Sequence, residues 1–349
     1  MEIMELSEQL LNHQLGRNIY DDSGRLLLPK GTILQISHIN QLLNMGYGKL
    51  AIGTETDADN INDNESSGEI NPLTHAFTVA VDNLRDLMAK VSAGHLVGQG
   101  EVEETIELLF PGVMETNNIL LNLQDLRRKD EYTLQHSVSV SVLSLKIGQL
   151  MRVPQHDLKM LGMAGILHDI GKCKISSAIL NKNDSLTEEE FQEIKKHPVY
   201  GYEIVKNMKL NDPRIMLAVL QHHEHQDGRG YPLKLAASKI HLFSKIIAVA
   251  DVFDAMTSER PYRGKMALFK AMNEILTSSV SHLNPQVVSK LRTYVLSICP
   301  GASALLNNGN IGKIIMMNTD EPSRPLIQIG DQFINLREQR DLWVKDIIM

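Results

Sequence analysis

GILHDIGK, residues 165–172, closes an apolar segment that reads as a helix over Leu158–Leu167, with Gly171 placed to terminate it. At that helix end His168 and Asp169 stand side by side. They supply one imidazole nitrogen and one carboxylate, and a carboxylate can bridge two ions. An isolated His-Asp pair is common by chance; its weight here comes from His136, His197, His222, His223 and Asp251, each on or beside another segment of helical period. Four or five imidazoles with two carboxylates form a mixed nitrogen and oxygen donor set, suited to Fe(II), Mn(II) or Zn(II). Cys173 is the only nearby cysteine, which excludes a thiolate site. The separations, 32 residues from His136 to His168 and 25 from His197 to His222, are too long for a local finger. The site must be assembled from facing helices, so the fold class is mainly α, a helical bundle.

Outward from this stretch the helical period is nearly continuous. Phe77, Val81, Leu84 and Met88 lie on one helix face. Further helices are predicted around Val102–Leu109, Gly112–Leu126, Thr133–Met151, Thr187–Lys196, Gly201–Met208, Pro213–His222, Ser238–Met256, Lys265–Leu276 and Pro285–Ile298. Thr187 and Glu190 make a capping box at the start of one of them. Beyond Pro300 the period fades, and Ile311–Met317 with Pro325–Leu336, broken at Gly330-Asp331, reads as a β-hairpin. At the other end, Gly16–Ile33 has turn residues around short apolar runs, Ser37–Met45 looks helical, and Lys49–Ile52 reads as a returning strand. From Glu55 to Glu69 there are six acids and no Lys or Arg, the composition of a solvated linker. The organisation expected is a small α+β domain at 1–54, a linker at 55–72, a helical segment at 73–129, a catalytic domain at 130–300 and a β-hairpin extension at 301–349.

Two more local patterns carry chemistry. In QHHEHQDGRGYP (221–232), adjacent histidines point about 100° apart on a regular helix, so both reach one ion only if the helix end loosens, and the Gly-rich loop that follows permits it. In ADVFDAMTSERPYR (250–263), Asp251 and Asp254 share a helix face, with Arg260 and Arg263 past its end. Carboxylate toward metal and guanidinium toward phosphate is the division of labour of a phosphoryl-cleaving site. The other histidines (13, 38, 75, 95, 156, 225, 241 and 282) read as surface or internally satisfied residues.

Composition removes several function classes. With 35 Lys+Arg against 42 Asp+Glu, the 349-residue chain carries net charge -7, a poor basis for coating a nucleic acid polymer. Two cysteines cannot form a disulfide framework and fit a reducing, cytoplasmic setting. No run of 18 apolar residues is present, so no membrane span is expected.

The motifs together resemble the HD-GYP family, the cyclic di-GMP phosphodiesterase branch of the HD metal-dependent phosphohydrolases. The pieces that carry the likeness are DEYTLQHSVSV (130–140), GILHDIGK (165–172), HPVYGYEIV (197–205), QHHEHQDGRGYP (221–232) and VADVFDAMTSERPYR (249–263). The resemblance implies an HD-type bundle and hydrolysis of cyclic di-GMP to linear pGpG or on to GMP, by a hydroxide bridging two divalent ions, Fe(II) or Mn(II). It implies a first ion on His136, His168, Asp169 and Asp251, and a second on bridging Asp169 with His197, His222 and His223. Lys172, one helical turn past His168, would hold a phosphate oxygen. Arg260 and Arg263 would hold phosphate or guanine edges, and Asp254 would orient hydroxide or substrate. Tyr231 would stack on a base or pack its own loop. Family members with three ions carry a Glu one turn before the first histidine; here that residue is Tyr132, so two ions are expected.

Two other readings stay open on sequence alone. One is hydrolysis of cyclic GMP-AMP. The other is a slow-turnover cyclic-dinucleotide sensor that signals to partner proteins through residues 1–54 or the terminal hairpin. The helices of 73–130 are long enough to carry a homodimer interface.

Overall fold

The apolar face Phe77, Val81 and Leu84 is the buried stripe of α1 (Pro72–Ser92), with Met88 half-buried beside it. In the computed structural model the chain divides into two units, Met1–Glu69 and Ile70–Met349. The description covers residues 2–7, 10, 11, 13, 15, 19, 20, 26–28, 32, 34, 39, 42 and 49–52 of the first. Of the second it covers 72–120, 123, 132–258, 266, 268–278 and 281–348, apart from 183, 209, 211 and 319. The acidic segment 55–69, most of the helix expected at Ser37–Met45, and both Arg260 and Arg263 lie outside the described residues.

In the first unit, β1 (Glu2–Glu5) pairs antiparallel with β4 (Lys49–Ile52), Glu2 opposite Ile52. The expected turn-bounded hairpin is β2 (Ile19–Tyr20) against β3 (Leu26–Leu28). Leu10, Leu15, Leu34, Ile39 and Leu42 fill a core of its own.

The second unit is mainly helical. After α1 come α2 (Gln99–Glu115), α3 (Tyr132–Leu150), α4 (Gln155–Leu167), the short α5 (Ser177–Leu180), α6 (Glu188–Ile194), α7 (His197–Asn207), α8 (Pro213–Gln221), α9 (Leu242–Thr257), α10 (Leu268–Ser278) and α11 (Pro285–Ile298). α3 is buried on all sides from Gln135 to Gly148, which makes it the axis of the bundle. The break predicted between Leu109 and Gly112 is absent: α2 runs through Pro111 to Glu115. Pro111 lies on the exposed side, where the carbonyl it leaves unpaired reaches water. The chain breaks instead after Glu115, where Lys146 Nζ donates to the Thr116 carbonyl at 3.0 Å. α6 opens with the expected capping box: Glu190 N donates to Thr187 Oγ1 at 3.3 Å and Thr187 N to Glu190 Oε2 at 2.7 Å. α7 starts four residues earlier than its apolar period indicated, at His197 itself.

The terminal hairpin, β6 (Ile311–Met316), β7 (Leu326–Ile329) and β8 (Gln332–Asn335), is part of a larger antiparallel sheet. With β5 (Ser303–Leu306) and β9 (Val344–Ile348) the strand order is β8-β7-β6-β5-β9. Ala304, Leu306, Ile314 and Ile327 on one face join the helical core. No helix among the described residues is long and apolar enough to cross a membrane.

Candidate metal centre

The site begins with how closely α4 crosses α3. A Cβ on Gly165 would lie 2.7 Å from the Ser141 Cα, and Ser141 Oγ donates to the Gly162 carbonyl at 2.8 Å. This glycine contact brings His168, just past the end of α4, beside His136 of α3, ring centroids 5.4 Å apart. Gly171 is not the helix terminator expected of it: α4 already ends at Leu167, and Gly171 sits in a 3-10 turn, Ile170–Lys174. Any Cβ there would overlap the His197 carbonyl and crowd the Gly201 nitrogen, so the missing side chain seats the start of α7 on the turn. His197 thereby reaches Asp169, Nε2 to Oδ1 3.3 Å.

The histidine pair also lies where the loosened helix end was predicted. α8 stops at Gln221, and His222 and His223 follow in a turn with ring centroids 4.1 Å apart. The donor atoms fall in two groups, each within 4.8 Å internally: Asp169, His197, His222 and His223 in one, His136, His168 and Asp251 in the other. Asp169 faces both. Its Oδ1 is turned to His197, while its Oδ2 lies 3.3 Å from His168 Nε2 and 4.0 Å from His136 Nε2.

The hydrogen bonds fix which nitrogen is free. His168 donates Nδ1–H to the Gly165 carbonyl at 2.8 Å, His197 to Ile194 at 2.7 Å and His222 to Val219 at 2.7 Å. Each Nε2 is then a bare lone pair aimed inward. His168 Nε2 is buried without a hydrogen-bond partner, and the Nε2 atoms of His197 and His222 face each other at 3.3 Å. The Lys172 ammonium reaches one oxygen of the Asp169 carboxylate, but the buried Nε2 lone pairs find no donor there, and a divalent cation satisfies them. The residues fit a metal.

Residues 121–287 match the HD domain family model. That span of the chain is thus similar to HD domains. The chain is 32% identical over 239 residues to a cyclic di-GMP phosphodiesterase of Pseudomonas aeruginosa, covering 68% of this chain and 57% of the relative. It is 37% identical over 225 residues to a cyclic di-GMP phosphodiesterase of Thermotoga maritima, covering 62% and 59%. To 3'3'-cGAMP-specific phosphodiesterase 3 of Vibrio cholerae it is 35% identical over 166 residues, covering 47% and 35%. The chain thus spans less than two thirds of the length of each of these relatives.

The electrostatics of the site favour a metal-ready state. Burial pushes the imidazoles of His197, His222 and His223 down, His223 to about 3, so they are neutral ligands at pH 7. Burial works against ionising Asp169, but Lys172 and His168 outweigh it and hold the carboxyl well below the usual range. His136 is the exception. Burial would lower it, yet its hydrogen bonds to Asp251 and Asp254 raise it to about 9. Its Nε2 lies 3.1 Å from Asp251 Oδ1 and its Nδ1 2.7 Å from Asp254 Oδ2.

Asp254 is buried, its carboxylate contacting His136 and also accepting from Ser258 Oγ at 3.0 Å. The Tyr231 ring stacks on His223, centroids 4.7 Å apart, and its N donates to the His223 carbonyl at 3.1 Å. Lys172 lies on the 3-10 turn, not one α-helical turn along, with Nζ 2.5 Å from Asp169 Oδ2.

Glu224 was missed. It is buried, accepting from Leu233 N at 2.6 Å and Leu235 N at 2.8 Å, and so ties the Gly-Tyr-Pro loop back onto the histidine pair. An acid in the HHEH run was the available signal, but nothing local distinguishes a buried loop anchor from a solvated one.

Proposed function

We propose that this HD domain is a metal-dependent phosphodiesterase that opens cyclic di-GMP to linear pGpG, using two divalent ions, Fe(II) or Mn(II). The observation that carries the reading is Asp169: one carboxylate whose two oxygens face two separate donor groups, the arrangement of a bridge between ions. The position one turn before His136 holds Tyr132, whose ring stacks on the imidazole at 5.8 Å between centroids, and this supports two ions rather than three. The names of the Pseudomonas and Thermotoga relatives support the substrate.

When bound, the ions supply a water of lowered pKa and positive charge opposite the phosphodiester oxygens. The chain's own groups do the rest. His136, His168 and Asp251 would hold one ion, and His197, His222 and His223 the other, with Asp169 facing both groups. Asp254 keeps the His136 proton on Nδ1, leaving Nε2 for metal. Lys172, its side chain 26% exposed, has its ammonium on the Asp169 carboxylate. There it neutralises a non-bridging oxygen as charge grows in the transition state. Arg260 and Arg263 contribute further positive charge for phosphate or guanine.

The test is anaerobic reconstitution with Fe(II) or Mn(II), incubation with cyclic di-GMP and with cyclic GMP-AMP, and chromatography of the products. Linear pGpG, abolished in folded His168→Ala and Asp169→Ala, is the expected result. Turnover of cyclic GMP-AMP alone would reassign the substrate, and tight binding without turnover would make the protein a sensor.

A further inference from the structure

Beside the metal centre stands a cation that the ligand set does not use. α6 ends in the turn Lys195-Lys196, which leads directly into His197. Lys195 Nζ lies 4.3 Å from the centroid of the Phe191 ring and 5.8 Å from that of Tyr231. Tyr231 in turn stacks on His223 of the donor group. This ammonium is therefore one aromatic ring away from the metal centre.

Its neighbours are all paired. Lys182 bonds Glu190, Lys196 bonds Glu193, and Lys172 bonds Asp169. Among the described residues Lys195 has no carboxylate within ion-pair distance and is held only by ring faces, half-buried rather than extended into water. Phe191 beside it is 44% exposed, an uncovered aromatic next to the same ammonium.

A cyclic dinucleotide carries two phosphodiesters in one ring. If one lies on the ions, the other stands a short way off, still carrying a full negative charge. An ammonium preplaced over aromatic faces has lost part of its hydration and much of its freedom, so pairing with that phosphate costs less than recruiting a solvated lysine. Resting on the cyclic-dinucleotide reading above, we propose that Lys195 is a substrate-binding residue of this site, donating to the phosphodiester that is not cleaved. It discriminates a two-phosphate ring from a single phosphodiester.

The experiment compares the metal-loaded full chain with Lys195→Met and Lys195→Arg, on cyclic di-GMP and on bis(p-nitrophenyl) phosphate, which has one phosphate. Lys195→Met is expected to raise KM for cyclic di-GMP about ten-fold, the loss of one partly solvated charge-assisted hydrogen bond. The effect on kcat should be small, and the loss on bis(p-nitrophenyl) phosphate about ten-fold smaller. Lys195→Arg should recover most of the KM, and both variants should bind two ions per chain by elemental analysis. An unchanged KM in Lys195→Met, equal losses on both substrates, or a lowered metal content overturns the proposal. Wild-type protein that cleaves bis(p-nitrophenyl) phosphate but neither binds nor cleaves a cyclic dinucleotide overturns the substrate reading itself, a result visible before any variant is made.

Discussion

Asp254→Asn isolates the support behind one ligand. The carboxylate is 1% exposed and lies 2.7 Å from His136 Nδ1, with Ser258 Oγ on the same oxygen at 3.0 Å. Asn keeps the volume and removes the charge. If its oxygen faces His136, an ionised acceptor becomes a neutral one at a loss of about 1 kcal/mol; if its amide does, two donors meet and the loss is larger. Losses of this kind behind a metal ligand amount to about 10- to 100-fold in metal affinity. His136 belongs to the group with His168 and Asp251 and not to that of His197, His222 and His223, so the effect should fall on one ion. Calorimetric titration of metal-free protein with Mn(II) reads both sites. One binding step should weaken by about 10- to 100-fold and the other stay near wild type, with the circular dichroism of the metal-free variant unchanged. Two steps at wild-type affinity would refute the role given to Asp254. Equal weakening of both would show that the two donor groups do not act as separate sites.

Two further outcomes follow from the packing and the charges. Gly171→Ala puts a methyl group into the backbone of His197 and should cost about 3 kcal/mol in urea unfolding of the metal-free protein, with weaker metal binding beside it; a loss under about 1 kcal/mol would mean the turn and α7 separate easily. The metal-free protein should be most stable near pH 6.5. His136, raised to about 9, contributes stability that is complete below 6.5 and lost as pH rises through 9. His223, lowered to about 3, stays neutral in the folded state while the unfolded chain protonates, so stability is also lost as pH falls from 6.5 toward 3. Thermal unfolding between pH 5 and 9 checks this, and a melting temperature that climbs steadily across the range would contradict it.

Much of this was legible locally. The helical period located the bundle, because an apolar stripe at 3.6-residue spacing has few other uses, and Pro285–Ile298 was read to the residue. The ligand types were legible too, since donor chemistry belongs to the side chain wherever it lies. What sequence distance hides is which groups meet. That His197 opens α7 depends on Gly171 being bare beneath it, and β9 completes the terminal sheet by pairing with β5 across the three strands between them in sequence. The roles of Asp254, Tyr231 and Glu224 are of the same kind. Each is a polar side chain whose task is set by the group it touches, and its own neighbours in sequence are silent about that.

The sequence by itself determined the donor set, its nitrogen and oxygen character and its helical setting, because these follow from residue type and period. Only the tertiary structure decided that Asp169 turns one oxygen to each donor group, that the Nε2 lone pairs of His168, His197 and His222 converge, and that Lys195 stands over Tyr231. Those are facts of direction. Direction is fixed by the close crossing of α4 on α3, the bare Gly171 under α7 and three backbone carbonyls that each hold an imidazole proton.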